Sequence, residues 1–500
     1  MKPLTAIIPD FSDHAGASGF ARQLELFTQN PLIERTVVLH RETPPLQAPP
    51  DGVQFLQADS WFSGDCIERA LDAVTTEHLL LLLPGHEVDI SQQAIERLLA
   101  VMDDTQAGII YADFRERNHG QVTEHPTIDY QLGSIRDTFD FGSLLLISKQ
   151  AADRARRQHG RIEATIRWGG VYDLRLKISI DSAIVRVPEP LYTRCPVAID
   201  EQADLEPVHR YVDPNNRDYQ LEMERIATAH LRRIGAFLEP VFQSPPATET
   251  AFPVMASIVI PVRNREKTIA DAINSALSQE TSFAYNVIVV DNHSTDGTTD
   301  IVKNSARQHK NLIHKIPQRT DLGIGGCWNE AIDSPECGLI AVQLDSDDLY
   351  RDTHTLQTMV DKFWESPTAA PRYAMVIGSY TTVNFNLEET PPGLIDHREW
   401  TQENGRNNAL RVLGLGAPRA FYVPVLRQIK FPNTSYGEDY AVGLRISREY
   451  EIGRIYESLY LVRRWEENTD RALPLTTMNQ YDAYKDWLRT VEIRARMKRH

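Results

Sequence analysis

Three carboxylates fall within four positions of the stretch VQLDSDDLY: Asp345, Asp347 and Asp348, directly after the apolar run LIAVQL. Like charges this close repel, and each is costly to take out of water. A solvated loop or a helix N-cap would tolerate them. So would a divalent cation: hard oxygen ligands after a strand suit Mg2+ or Mn2+, above all beside phosphates. A second acidic pair, Glu438–Asp439, lies in SYGEDY. One such carboxylate could take a proton from a hydroxyl nucleophile. Neighbours on a helix point about 100° apart, so only one of the two could face a substrate. The plainer reading of this pair is an acidic first helical turn.

The elements that would position these groups alternate strand and helix. ASIVIPV (256–262), NVIVVD (286–291) and GLIAVQLD (338–345) read as buried strands, and KTIADAINSALSQ (267–279) has helical apolar spacing. This alternation predicts a largely parallel sheet with helices on both faces. Ligands of such sheets sit beyond the carboxyl ends of the strands, where Pro261, Asp291 and Asp345 all fall. A Pro-rich stretch, EPVFQSPPATETAFPV (239–254), reads as a linker, preceded by a helix over 217–238.

The two halves echo each other. TAIIP (5–9) parallels SIVIP (257–261), and AGIIYADF (107–114) parallels AMVIGSYT (374–381). YDLRLKIS parallels YAVGLRIS and EPLY parallels ESLY at one common offset, which points to a duplicated fold. Aligning LLLLLPGHEVD (79–89) with LIAVQLDSDDLY sets Pro84 opposite Asp345, His86 opposite Asp347 and Glu87 opposite Asp348, while Val171 stands opposite Asp439. The first half therefore reads as a degenerate, non-catalytic copy.

The 500 residues suggest two or three domains, and 42% hydrophobic with 24% charged residues is ordinary for a globular protein. A net charge of −16 argues against a nucleic-acid binder. The most apolar short run, HLLLLLPG, is too short to span a bilayer, and the N-terminus reads as a strand, not a signal peptide. The four cysteines lack metal spacing and are expected to be reduced thiols of a cytoplasmic protein. The basic terminal helix YDAYKDWLRTVEIRARMKRH is expected to be solvated, with an anionic membrane surface or an acidic partner as the other reading.

Residues 256–465 resemble the family 2 glycosyltransferases, which have a GT-A fold. SIVIPVRNREKTIADAINSALSQ, VIVVDNHSTDGT, QLDSDDLY and YGEDYAVGLRIS carry the resemblance, in that order. It implies an inverting, metal-dependent transfer from a nucleotide-diphospho-sugar donor to a carbohydrate or other hydroxyl acceptor. It implies donor contacts from Pro261, Arg263, Glu266, Asp291 and Asp345. Asp345 and Asp347 match the family's D-x-D and would hold Mn2+ or Mg2+; Asp348 reads as a helix cap. Asp439 matches the general base, with Glu438 as the fallback. In LVRRWEEN, Arg463 or Arg464 would reach the diphosphate and Trp465 would stack on a sugar. Between the metal motif and the base, Trp400, Arg406, Asn407 and Arg419 stand as acceptor contacts, and His397, with Asp396, as a further metal ligand or an acceptor contact. The glycines of GIGGCWNE would admit a ligand close to the backbone.

The expected architecture is α/β, with two tandem GT-A-like, Rossmann-like domains of mostly parallel sheet, the C-terminal one catalytic. Residues 1–205 form the degenerate domain, 206–255 a helix and linker, 256–470 the catalytic domain and 471–500 the basic helix. Two rivals stand beside this: a non-catalytic sugar-nucleotide-binding protein, and a sugar-phosphate nucleotidyltransferase. The latter needs a Gly-rich phosphate loop, which PVRNREK is not. A homo-oligomer is compatible with the sequence.

Overall fold

The computed structural model describes residues 3–10, 12–41, 49–58, 60–118, 120–196, 216–364, 371–465 and 473–499. The chain divides into two compact units. The first comprises Met1–Asp204, Asn215–Phe237 and Pro474–His500; the second comprises Leu205–Pro214 and Leu238–Leu473.

The first unit holds β1 (Leu4–Pro9), β2 (Ile33–His40), β3 (Val53–Gln57), β4 (His78–Leu82), β5 (His86–Ile90), β6 (Ile109–Asn118), β7 (Gln121–His125), β8 (Leu144–Ser148) and β9 (Ile184–Pro196). They form one sheet in the order β3-β2-β1-β4-β8-β6-β9-β5, with β7 on β6. The second unit holds β10 (Ala256–Val262), β11 (Tyr285–Asp291), β12 (Leu312–Lys315), β13 (Ile340–Gln343), β14 (Leu349–Tyr350), β15 (Met375–Val383), β16 (Glu389–Ile395), β17 (Arg419–Tyr422) and β18 (Ile452–Arg463). Their order, β12-β11-β10-β13-β17-β15-β18-β14 with β16 on β15, repeats the first sheet strand for strand. Both sheets are mixed. In the second, β10, β11, β12 and β13 pair in parallel, and β17 joins β13 antiparallel.

The core of the second unit follows from its strands. Ile258, Val259 and Ile260 of β10 and Val287–Val290 of β11 are fully buried, which requires cover on both faces. The helix Ile269–Leu277 supplies part of it through Ile269, Ala272, Ile273 and Ala276, an apolar stripe at helical spacing. β10 lies between β11 and β13, where the chain order reverses, and a crevice opens at the carboxyl ends of such strands.

Strand register corrects the alignment between the halves. Thr5 pairs with Leu79 as Ser257 pairs with Ala341. Leu83, not Pro84, therefore stands opposite Asp345. Beyond it seven residues (83–89) occupy the space that five (345–349) occupy in the second unit, as fixed by the matching pairs Ile90–Tyr192 and Tyr350–Tyr460. His86 and Glu87 thus have no one-to-one counterparts among the acidic residues.

Two segments differ from the expected layout. The Pro-rich stretch packs on the second unit instead of running free: Tyr422 Oη donates to the Pro246 carbonyl at 3.0 Å, and Arg427 sits over the Phe252 ring. The helix Leu475–Met497 belongs to the first unit, and it is not a solvated tail. Its Asp486 is fully buried and accepts from Ser134 Oγ and Arg489, and Arg496 pairs with Glu492. Buried charges of this kind persist when each is matched. Among the described residues no helix is long and apolar enough to cross a membrane, and the four cysteines form no disulfide.

Candidate active site

The loop after β10 is laced to the turn after β11. Asn264, at φ 54°, accepts from Thr295 N–H at 2.7 Å, and Glu266 accepts from Gly297 N–H at 2.9 Å. Arg263 and Glu266 are exposed at this rim, with Pro261 half-buried. Asp291 lies beneath them with no exposed side-chain surface. It accepts from Ser294 N–H, from Thr299 Oγ1 at 2.6 Å and from His314 Nε2 at 3.4 Å. Burial raises its pKa, but those hydrogen bonds outweigh burial and hold it well below the ordinary aspartate value. Asp291 thus shapes the turn from within, with its carboxylate already taken up by the turn's own groups.

The acidic loop follows β13. Asp345 N–H donates to Tyr460 Oη at 2.8 Å, and its carboxylate accepts from Gln343 Nε2 at 3.0 and 3.1 Å. Burial lifts the Asp345 pKa, and the charges of Asp347 and Asp439 add to the rise. Asp347 keeps 16% of its side chain exposed, with Arg265 Nε at 3.7 Å and Trp465 Nε1 donating at 3.3 Å. Asp348 is not a helix cap: its Oδ1 accepts the Arg463 backbone N–H at 2.9 Å, tying the loop to β18. Arg463, nearly buried, also donates to the Asp347 carbonyl and to Asp271. Arg265 and Gln343 are site residues that sequence reasoning passed over. The density of basic groups in RNREK was the available signal for Arg265, whereas the left-handed turn at Asn264 that orients the loop was not legible.

Across the crevice, the helix Glu438–Ser447 starts at Gly437, whose φ of 80° suits glycine. Asp439 is 30% exposed and ion-paired to Arg419. Arg419 Nη1 donates to Gln343 Oε1 at 2.9 Å, and its Nε donates to the Leu415 carbonyl. Glu438 instead turns inward, with Oε2 buried and lacking a hydrogen-bond partner among the described residues. Burial, then the Asp439 charge, pushes its pKa up to about 8. A carboxyl protonated at neutral pH is a poor base, so Asp439 is the better-suited member of the pair.

Several expected site residues are engaged elsewhere. Asn407, almost fully buried, exchanges two 3.0 Å hydrogen bonds with the backbone of Leu238. Arg406 donates to the Val241 carbonyl and covers the Phe242 ring. Trp400 is buried beneath Arg454 and against Gly405. Asn407 and Arg406 thus hold the segment 238–242, which needs partners for its backbone, and Trp400 packs beneath Arg454, so all three have structural work apart from the acceptor contacts expected of them. Arg419 likewise positions other side chains. Arg464 N–H extends the sheet to the Val383 carbonyl. Trp465 sits beside Asp347 and edge-on to Phe385. The glycines of GIGG serve chain packing: a Cβ at Gly325 would lie 2.0 Å from the Pro432 carbonyl oxygen.

Two carboxylates from one loop fit Mg2+ or Mn2+, which bind few protein groups and complete their shell with phosphate oxygens and water. Placing a cation there would relieve the repulsion that raises the Asp345 pKa. Among the described residues no three His, Cys, Asp or Glu side chains gather as a metal cage. His397 does not join the pair: it is buried, 3.5 Å from Glu399, with its ring against Gly416.

Residues 257–421 match the family described as Glycosyl transferase family 2. A putative glycosyltransferase of Bacillus subtilis, EpsE, is 33% identical over 93 residues, 19% of this chain and 33% of that protein. The uncharacterized protein Rv1520 of Mycobacterium tuberculosis is 28% identical over 104 residues, 21% of this chain and 30% of that protein. The chain thus spans about a third of the length of these curated relatives. Among solved structures, residues 1–349 of S. aureus TarS with UDP are 23% identical, with a TM-score of 0.35 over 48% of this chain and 65% of that one. The glucosyl-3-phosphoglycerate synthase of Mycobacterium tuberculosis, with Mn2+, UDP and phosphoglyceric acid, is 18% identical, with a TM-score of 0.33 over 48% and 79%. The stretch from Ser257 to Phe421, which matches the glycosyl transferase family 2 model, carries Asp345, Asp347 and Arg419.

Proposed function

We propose that the second unit transfers a sugar from a nucleotide-diphospho-sugar to a hydroxyl acceptor, with inversion at the anomeric carbon. The observation that carries this reading is the pairing of two acidic groups across one crevice. Asp345 and Asp347 lie at the end of β13, and Asp439 is held in the same hydrogen-bonded network by Arg419. Asp345 and Asp347 would hold Mn2+ or Mg2+, which when bound neutralises charge on the departing diphosphate. Arg263 and Glu266 line the donor rim, and Arg265 and Trp465 flank Asp347. Asp439 accepts the acceptor's hydroxyl proton as that oxygen attacks the anomeric carbon. A direct displacement of this kind has one in-line attack and inverts configuration.

The first unit is proposed as a non-catalytic platform, since its matching positions carry Leu83 and Val171. A nucleotidyltransferase is disfavoured by the loop after β10, whose backbone N–H groups at Asn264, Arg265 and Glu266 are taken by Ser294, Thr298 and Asp296.

The test is nucleoside diphosphate release from UDP-, GDP-, CDP- and dTDP-sugars, with and without Mn2+. Mn2+-dependent release from one donor, lost in Asp439→Asn, is expected. Equal release by Asp439→Asn would remove Asp439 as the base.

A further inference from the structure

The proposed transfer needs the base and the metal loop in one fixed geometry, and the role of Arg419 rests on that reading. A single guanidinium joins the two. Arg419 engages three partners in three directions: Gln343 through Nη1, Asp439 through Nη2 and the Leu415 carbonyl through Nε. Gln343 in turn donates to both oxygens of Asp345. The Arg419 side chain is only 13% exposed, so it cannot swing toward one partner without leaving another. The side chains span three elements: β13 and its loop, the start of β17 and the helix from Glu438.

The first unit supplies an internal control. Its sheet has the same strand order, and β4 pairs with β8 as β13 pairs with β17. Leu81 and Leu145 are register partners there, in the places of Gln343 and Arg419. Leu83 follows β4 where Asp345 follows β13, and Val171 is the second residue of the helix Gly170–Asp181, where Asp439 is the second of its own. All four polar members are apolar in the first unit. The sheet therefore forms without this network, and a partly buried polar network is a desolvation cost that folding does not require.

We infer that Arg419, through Gln343 and its ion pair with Asp439, is a positioning residue that sets the base against the metal loop. The charged groups that bear on Asp439 are Arg419 from β17, Glu438 from its own helix and Asp345 from the β13 loop. Of these, only Arg419 is a cation, so its removal leaves Asp439 facing carboxyl groups.

The experiment measures kcat and donor KM for nucleoside diphosphate release, with Mn2+ and the donor that the wild-type chain turns over. It compares wild type with Arg419→Gln, Arg419→Lys and Gln343→Leu. The last installs the residue type that the first unit accepts at this place, which guards against simple misfolding. Arg419→Gln should lower kcat by about 100-fold with donor KM within about threefold. Arg419→Lys should restore part of kcat, since an ammonium keeps the charge and loses the fork. Gln343→Leu should lower kcat with donor KM likewise held. A wild type that turns over while Arg419→Gln keeps its kcat overturns the relay and leaves the proposed function standing. Lower yield or Tm with kcat per folded chain unchanged overturns it equally, as a structural role only. A wild type that releases no diphosphate and binds none with Mn2+ overturns both.

Discussion

Two adjacent carboxyls, Glu438 and Asp439, differ because one is buried and the other faces the crevice. The folded-state pKa of Glu438 stands near 8 against an ordinary 4.5. Between those values the folded chain holds a proton that the unfolded chain has released. Stability is therefore fully present below about pH 4.5, falls as pH rises through this window and levels off above it. Glu438→Gln should be more stable than wild type at pH 8 by at least about 1 kcal/mol, with the gap closing toward pH 4.5, as read by urea unfolding at several pH values. At pH 7 it should keep turnover within about tenfold of wild type, whereas Asp439→Asn should lose about 100-fold or more. Asp291 has the opposite sign. Its lowered pKa contributes stability that is present above the ordinary aspartate value and lost as pH falls below it. Asp291→Asn should flatten the acid limb of the stability profile below about pH 4, and an unchanged limb would contradict the hydrogen bonds from Ser294, Thr299 and His314 as the cause of its lowered pKa.

Elements decide which residues meet. The acidic loop and Asp439 were legible because charge clusters after apolar strands and at a helix start mark the ends of elements. The roles of Arg419 and Gln343 were not, since their contact arises from the antiparallel pairing of β13 with β17, far apart in the chain. The polar stretch 391–411 misled for a related reason. Arg406 and Asn407 have side chains suited to a ligand, yet they satisfy the backbone of Leu238 and Val241. Close helix packing behind Asp439 is equally hidden in a glycine-rich string. Gly325→Ala would force a Cβ to within 2.0 Å of the Pro432 carbonyl oxygen, beside Glu438. It should cost about 1–3 kcal/mol in unfolding measurements and lower kcat by displacing the helix that carries Asp439.

At the scale of the whole molecule, one topology appears twice with unequal chemistry. The helix Arg217–Arg233 sends Glu222 to accept three 2.8 Å N–H bonds from Arg167, Trp168 and Gly169, just before the helix that carries Val171 in place of Asp439. In the second unit the matching segment, 435–437, precedes Glu438 and Asp439. With Leu83 at the metal position and a carboxylate filling that turn, the first unit should bind no metal–nucleotide. The chain should therefore take up one nucleoside diphosphate, not two. Calorimetric titration with UDP, GDP, CDP and dTDP, each with and without Mn2+ and repeated on Asp347→Ala, tests the central claim most directly. We predict Mn2+-dependent binding of one diphosphate at a single site per chain, abolished by Asp347→Ala. Binding of none, or binding indifferent to Mn2+ and to Asp347→Ala, would contradict a donor site built on Asp345 and Asp347.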